Sequence, residues 1–431
     1  MPHPPGAGRR PRLRLTGIPH PASSVSVSAS ASGARRSAGA ARPGGSAVRW
    51  EPGDRADASL TYPRTAEPGD HADAPLTYAG PVLTTTLFPK SFASDNHAGV
   101  HPKILSAVME ANVGDAPAYG SDPWTEAMQD AFRAEFGSQA TAYAMFNGTG
   151  ANVVGLGLLL RLYDSVLCPA TAHINTHEGG AAERVLGAKL VPLPTDDGKV
   201  APDDIRDHLS VLGNTQYAQP RVISISQVTE CGTAYTADEI SELAEFAHSR
   251  GLFLHMDGAR LANAAAELGC SMRTLTTDAG VDVLSFGGTK NGAMGAEALV
   301  ILNPELDSSA LFLRKQGMQL ASKMRYVSVQ LTALLADNLW HDNAAHANAM
   351  AHRIADGISD LPGVSLRWPV QSNAVFPRLP EKAVTELQQR YLFHMWDAAE
   401  NVVRLVTAFD TTPEQVDTFV SDIRTAVASH S

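Results

Sequence analysis

Lys290 stands in Ser285-Phe286-Gly287-Gly288-Thr289-Lys290-Asn291-Gly292, between glycines and just past a short apolar run. An amine held there can bond covalently to an aldehyde cofactor. The chain has eight lysines among 34 Lys and Arg residues, so composition alone does not put one in this setting. Upstream, Leu252-Phe253-Leu254 runs into His255-Met256-Asp257-Gly258-Ala259-Arg260. An aspartate at one strand end and a lysine at a later one suit pyridoxal phosphate (PLP). The carboxylate pairs with the pyridinium nitrogen and the amine with the aldehyde carbon. Either fragment alone is a weak signal; together, in this order, they are specific.

Further residues fit that chemistry. Asn147-Gly148-Thr149-Gly150 falls where a strand turns into a helix. Glycines let backbone approach an anion, and a helix N-terminus offers free N–H groups, so Gly148 and Thr149 are candidates for the cofactor phosphate. In Ala172-His173-Ile174-Asn175-Thr176-His177-Glu178-Gly179-Gly180, His173 can stack on the pyridine ring and act as a base. Arg260 can reach Asp257, a phosphate or the ring oxygen. In Val402-Val403-Arg404-Leu405-Val406 an arginine interrupts an apolar strand. Arginine binds carboxylates in bidentate fashion, so Arg404 is a candidate for the α-carboxylate of an amino acid. His341, His346 and His352 are spaced five and six apart and share no helix face, so no metal site is expected. Trp124 and Trp396 read as core or interface residues.

These residues need a scaffold of alternating strands and helices. Strands are expected at 142–146, 165–168, 189–193, 222–226, 252–254, 283–286 and 298–302. Thr236-Ala237-Asp238-Glu239 is a capping box, and Ile240, Leu243 and Ala247 recur on one helical face. The resulting strand–helix–strand unit implies a parallel sheet with right-handed crossovers. An Ala-rich helical pattern spans about 327–357. Strands near 373–376 and 403–407 and a last helix after Thr412-Pro413-Glu414 complete the expectation: a large α/β domain over 87–335 and a small α+β domain over 336–431.

Residues 1–86 read differently. The first 50 hold eight arginines and no Asp, Glu or Lys, and are rich in Pro, Gly, Ser and Ala. Such a segment cannot bury enough apolar surface to offset its ordering entropy, so disorder is expected. A translated leader is the simpler reading; a transit peptide has the same composition. A tandem duplication at 51–80 (Glu51–Tyr62 returning as Glu67–Tyr78) has too few copies for a solenoid. The formal charge of -11 argues against nucleic acid as a partner. No apolar run of 18 residues suggests a membrane span. Three widely spaced cysteines, Cys168, Cys231 and Cys270, favour reduced thiols and a cytoplasmic setting.

From about Phe92 onward the chain resembles the threonine aldolases of the aromatic amino acid β-eliminating lyase group. These are PLP enzymes of the fold type I, aspartate aminotransferase-like class, with a mostly parallel sheet in the large domain and a small α+β C-terminal domain. The likeness is densest in Phe92-Ala93-Ser94-Asp95-Asn96, Ala118-Tyr119-Gly120-Ser121-Asp122, Phe146-Asn147-Gly148-Thr149, and the segments around Asp257 and Lys290. It is strongest to the low-specificity L-threonine aldolases. The resemblance implies that Lys290 forms the Schiff base, Asp257 pairs with the pyridine nitrogen and His173 stacks on the ring. Gly148 and Thr149 would bind phosphate, Arg260 would contact the cofactor, and Ser94 and Arg404 would hold the substrate carboxylate. Lys323 and Arg325 fall where the family places basic residues near the site, including that of a neighbouring subunit in a homotetramer. Many relatives carry a histidine in the turn after the strand here read as Ile223–Gln227; this chain has Glu230 there, so the base is His173, Glu230 or a water. The reaction implied is cleavage of L-threonine or L-allo-threonine to glycine and an aldehyde. A phenylserine-type aldolase, a β-eliminating lyase, an aminotransferase and a non-catalytic PLP-binding scaffold are the alternatives.

Overall fold

The computed structural model describes residues 91–430. The expected extension over 1–86, with its tandem repeat, lies outside the described residues. Seven strands form one sheet: β1 (Thr141–Met145), β2 (Asp164–Pro169), β3 (Lys189–Leu193), β4 (Gln219–Ser226), β5 (Phe253–Gly258), β6 (Val283–Gly287) and β7 (Glu297–Ile301), in the order β1-β7-β6-β5-β4-β2-β3. Pairings within β3-β2-β4-β5-β6 are parallel, whereas β7 runs antiparallel to both β6 and β1. The expected strands are all present, with ends shifted by a few residues.

Crossover helices bury the sheet, which is why its strands read as nearly continuous apolar runs. The helix Ala237–His248 starts at Thr236, and Thr236 and Glu239 cap one another reciprocally, as the capping box predicts. Its Ile240, Leu243 and Ala247 are buried. Phe132, Phe136 and Phe286 pack with ring centroids 5.4–6.0 Å apart. The long Ala-rich pattern is two helices, Arg325–Leu335 and Leu339–Ile358. Asp337 and Asn338 between them take positive φ, a conformation that short polar side chains tolerate.

The C-terminal part builds a second, antiparallel sheet. It contains β8 (Ser365–Leu366), β9 (Ala374–Val375), β10 (Pro377–Arg378), β11 (His394–Asp397) and β12 (Val402–Val406). Its core has Phe92 stacked on Phe419 at 4.2 Å, beside Tyr391. Phe92 is tied in by backbone: its N–H donates to Leu392 O and its carbonyl accepts from Val406 N, both at 2.7 Å. That anchor brings the following residues, Ser94 and Asp95, up to the carboxyl edge of the large sheet. Among the described residues, no helix is long and apolar enough to cross a membrane.

Candidate active site

Parallel strands deliver their following loops to one edge, where ligands of open α/β sheets bind. Here that edge holds a cavity of about 460 Å³. Its wall includes Gly148 after β1, His173 and Glu178 after β2, Glu230 after β4, Asp257 and Arg260 at and after β5, and Lys290 after β6. Ser94 and Arg404 close it from the other side. Thr149, Lys323 and Arg325 are not in this wall. Thr149 follows Gly148 in the first helical turn. Arg325 instead donates to the carbonyls of Val113 and Gly114 and lies over the Trp124 ring.

Lys290 sits in the 3₁₀ turn Thr289–Asn291. The glycines before it are demanded by packing. A Cβ on Gly287 would lie 2.5 Å from Ala259 O, and one on Gly288 would overlap Ala296 O. Burial pushes the Lys290 amine below its usual range, helped by the nearby Arg260; Asp95, Asp257 and Glu297 oppose that.

Asp257 is buried at the end of β5. Its Oδ1 accepts Ala259 N–H at 3.0 Å and its Oδ2 accepts from Asn152 Nδ2 at 2.8 Å. The same Asn152 nitrogen donates to Glu178 Oε1 at 2.8 Å, and that oxygen is 2.9 Å from His173 Nδ1. This hydrogen bond to Glu178 holds the imidazole above its usual pKa, against burial and with help from Asp257. The ligand atoms of His173, Glu178 and Asp257 lie within 4.8 Å of one another. Asn152 already donates to both carboxylates, so the cluster is joined through protons. Neighbouring His255 is fully buried against Ser224 Oγ at 2.9 Å, and burial pushes it down to about 4.

Glu230 reaches into the site from a loop braced by Gln227, which exchanges hydrogen bonds with the Tyr235 backbone at 2.8 and 2.9 Å. Glu230 Oε1 accepts from His173 N–H and from Ser226 Oγ, both at 2.8 Å. Burial pushes its carboxyl up, partly offset by Ser226 and reinforced by Asp257. Arg260 pairs with buried Asp95 through Nε at 2.7 Å and Nη2 at 2.9 Å, and Asn373 Nδ2 donates to the same carboxylate at 3.0 Å. Burial pushes the Asp95 carboxyl up, but Arg260 outweighs it and holds it below the usual range. Among the described residues, Arg404 has one weak hydrogen bond, to Ala93 O at 3.2 Å.

Sequence reasoning gave no site role to Asn152, Asp95 or the β11 residues His394 and Met395, and read Trp396 as core or interface; all of them lie in or against the cavity. Trp396 is a cavity residue, packed edge-on to Phe376 with centroids 5.2 Å apart, and not part of the deep core. A polar Asn inside the apolar stretch Gly148–Leu159 was the available signal for Asn152.

Do these residues fit PLP? Buried Asn152 Oδ1, Glu178 Oε2, Glu230 Oε2 and Arg404 Nε have no hydrogen-bond partner among the described residues, and all four residues line this cavity. Such groups are costly unless a ligand or water meets them. A lysine, a fixed carboxylate and a helix N-terminus around one cavity match an aldehyde, a pyridine nitrogen and a phosphate. The residues fit.

A mostly parallel α/β sheet with lysine and aspartate on adjacent strand ends, faced by a small antiparallel sheet, is the fold type I architecture. Residues 91–380 match the family model for the beta-eliminating lyases. A low specificity L-threonine aldolase of Pseudomonas aeruginosa is 42% identical over 78% of this chain and 97% of its own length. One from Escherichia coli is 30% identical over 73% and 92%. The solved threonine aldolase of Leishmania major superposes with a TM-score of 0.75 at 31% identity, over 79% of this chain and 100% of that one. The chain belongs to the beta-eliminating lyase family, in its threonine aldolase group, and is a lyase.

Proposed function

We propose that this enzyme uses pyridoxal phosphate to cleave L-threonine or L-allo-threonine into glycine and acetaldehyde. The observation that carries the reading is the convergence of Lys290, Asp257, His173 and Arg404 on one cavity in a chain of this family. When bound, the cofactor supplies an electron sink for the pair released as the Cα–Cβ bond breaks. Lys290, whose amine lines the cavity, would hold the aldehyde carbon and could carry a proton there. Asp257, fixed by Asn152 and Ala259, keeps the pyridine nitrogen protonated. The N–H groups of Gly148 and Thr149, in a helical turn where Asn147 caps only Gly150, receive the phosphate. Arg260, held by Asp95, faces the cofactor. Ser94 and Arg404 take the substrate carboxylate and so orient the Cα–Cβ bond.

For the β-hydroxyl proton, His173 is the better-placed base. Its side chain is 43% exposed and its Nδ1 is tied to Glu178, which leaves Nε2 to the cavity. Glu230 braces the His173 backbone, and its second oxygen is out of solvent. His173 would also stack on the pyridine ring. The side-chain wall of Val228, Phe376, Met395 and Trp396 favours, as a second reading, larger β-substituents of the phenylserine type.

The large sheet lies within the proposed domain 87–335, and the antiparallel sheet within the proposed domain 336–431. Exposed Met109, Leu311, Phe312 and Met318 support burial against other copies, as in a homotetramer to which Lys323 and Arg325 contribute. Unpaired Cys168, Cys231 and Cys270 support a cytoplasmic setting. The test is release of glycine and acetaldehyde from L-threonine by PLP-loaded protein. Ammonia with a keto acid, or no turnover despite bound cofactor, would overturn the threonine aldolase assignment, and full activity in Asp257→Ala would overturn the role given to that carboxylate.

A further inference from the structure

Glu297 is a buried carboxyl that none of these roles employs. It opens β7, and because β7 is antiparallel its first residue stands at the same edge as the carboxyl ends of β5 and β6. Register sets it opposite Gly287 on one side and Met145 on the other. From there it reaches the turn that carries Lys290. Its Oε2 accepts Gly288 N–H at 2.8 Å, and the Thr289 hydroxyl donates to the same carboxylate. That hydroxyl also accepts Ala296 N–H at 3.2 Å, so strand and turn are laced together. Glu297 does not line the cavity.

We infer that Glu297 is a positioning residue for Lys290: it fixes the turn from the neighbouring strand and presents a negative charge to the amine from behind. The inference rests on Lys290 being the cofactor lysine. The charged groups facing Lys290 are Arg260, which disfavours its protonated form, and Asp95, Asp257 and Glu297, which favour it. Asp95 is committed to Arg260 and Asp257 to Asn152. Glu297 itself faces Lys290 and Asp257. Burial pushes its carboxyl up to about 7, against Thr289, Gly288 and Lys290, so its charge changes across the neutral range.

The full chain is tested in two states. Without cofactor, acetylation of Lys290 by acetic anhydride, followed against pH by peptide mass spectrometry, titrates the amine. With PLP, visible absorbance against pH titrates the lysine–cofactor link. Glu297→Gln keeps the acceptor for Gly288 and removes the charge. An adjacent opposite charge is worth on the order of one pH unit, so both inflections should fall measurably. Glu297→Asp keeps the charge but is too short to hold the turn. It should titrate like the parent and capture PLP more slowly. A Gln protein that titrates like the parent, or an Asp protein shifted as far as Gln, overturns the inference. If the parent shows no cofactor band, the PLP reading fails, while the acetylation titration still decides the role of Glu297.

Discussion

The two sides of the cavity are built differently. On the sheet side, each reactive group is held from behind. Asp257 is fixed by Asn152 and Ala259, His173 by Glu178 and Glu230, and the Lys290 turn by Glu297. On the side of the small antiparallel sheet, Arg404 has, among the described residues, a single 3.2 Å hydrogen bond and an unpartnered Nε; it stands opposite His394 across the strands and lies over the Trp396 ring. The first side is preorganised and costs little reorganisation when charge moves. The second waits for a partner. The difference separates the chemistry, placed on strand ends, from substrate choice, placed on a short and irregular sheet.

Lys290→Ala is the largest break on the sheet side. It should lower turnover by about a thousandfold or more while leaving the fold intact, because the side chain lines the cavity and is not part of the apolar core. Melting temperature and steady-state rate, measured on the same preparation, check both halves. Asp95→Ala breaks the seam between the two sides. It leaves Arg260 buried without its carboxylate, a loss of roughly 3–5 kcal/mol of stability. The Asp95 pKa is depressed in the folded state, so its contribution is full above the ordinary value of 3.8 and fades as pH falls through the lower folded one. Denaturant titrations at neutral and acid pH should therefore converge for parent and variant only at acid pH.

The same contrast governs what could be read from sequence. Lys290 and Asp257 were legible because each follows an apolar run and is set beside glycines whose packing admits no side chain, and Gly148 because Asn147-Gly148-Thr149-Gly150 follows an apolar run. Their strands were legible too, since burial on both faces leaves continuous apolar stretches. Asn152 was legible only as a polar residue in an apolar helix, because nothing local shows which two distant carboxylates it bridges. Asp95 was hidden for the same reason: its partner lies 165 residues away. The antiparallel entry of β7, which brings Glu297 to the site, depends on sheet order and not on any feature of 297–301. Around β11 the period-2 pattern fails, because the strand is four residues long with a bulge between Met395 and Asp397 and most of it is exposed.

Arg404→Ala probes the open side. A buried, charge-assisted contact to a carboxylate is typically worth 2 kcal/mol or more, so KM for threonine should rise roughly 30-fold, with a smaller change in kcat. Arg404→Lys should recover little, because one ammonium cannot replace a planar fork. If kcat fell and KM held, Arg404 would belong with the preorganised groups and the contrast between the sides would fail.

Glu178→Gln has the smallest expected effect and the sharpest sign. Glu178 hydrogen-bonds His173 Nδ1 and is the leading cause of its raised pKa. If neutral imidazole takes the hydroxyl proton, kcat/KM rises with pH through that raised value. Glutamine keeps a hydrogen-bonding group at Nδ1 but removes the charge that favours imidazolium. The acid limb should then move to lower pH, while the plateau falls by less than about tenfold because the base is weaker but still in place. Imidazole NMR of the two proteins should show the same displacement without turnover. A limb that stays fixed while the NMR titration moves would shift the proton transfer from His173 to Glu230, whose carboxyl is raised by burial and reinforced by Asp257. The sheet side would remain preorganised, with the base on the loop after β4 instead of the loop after β2.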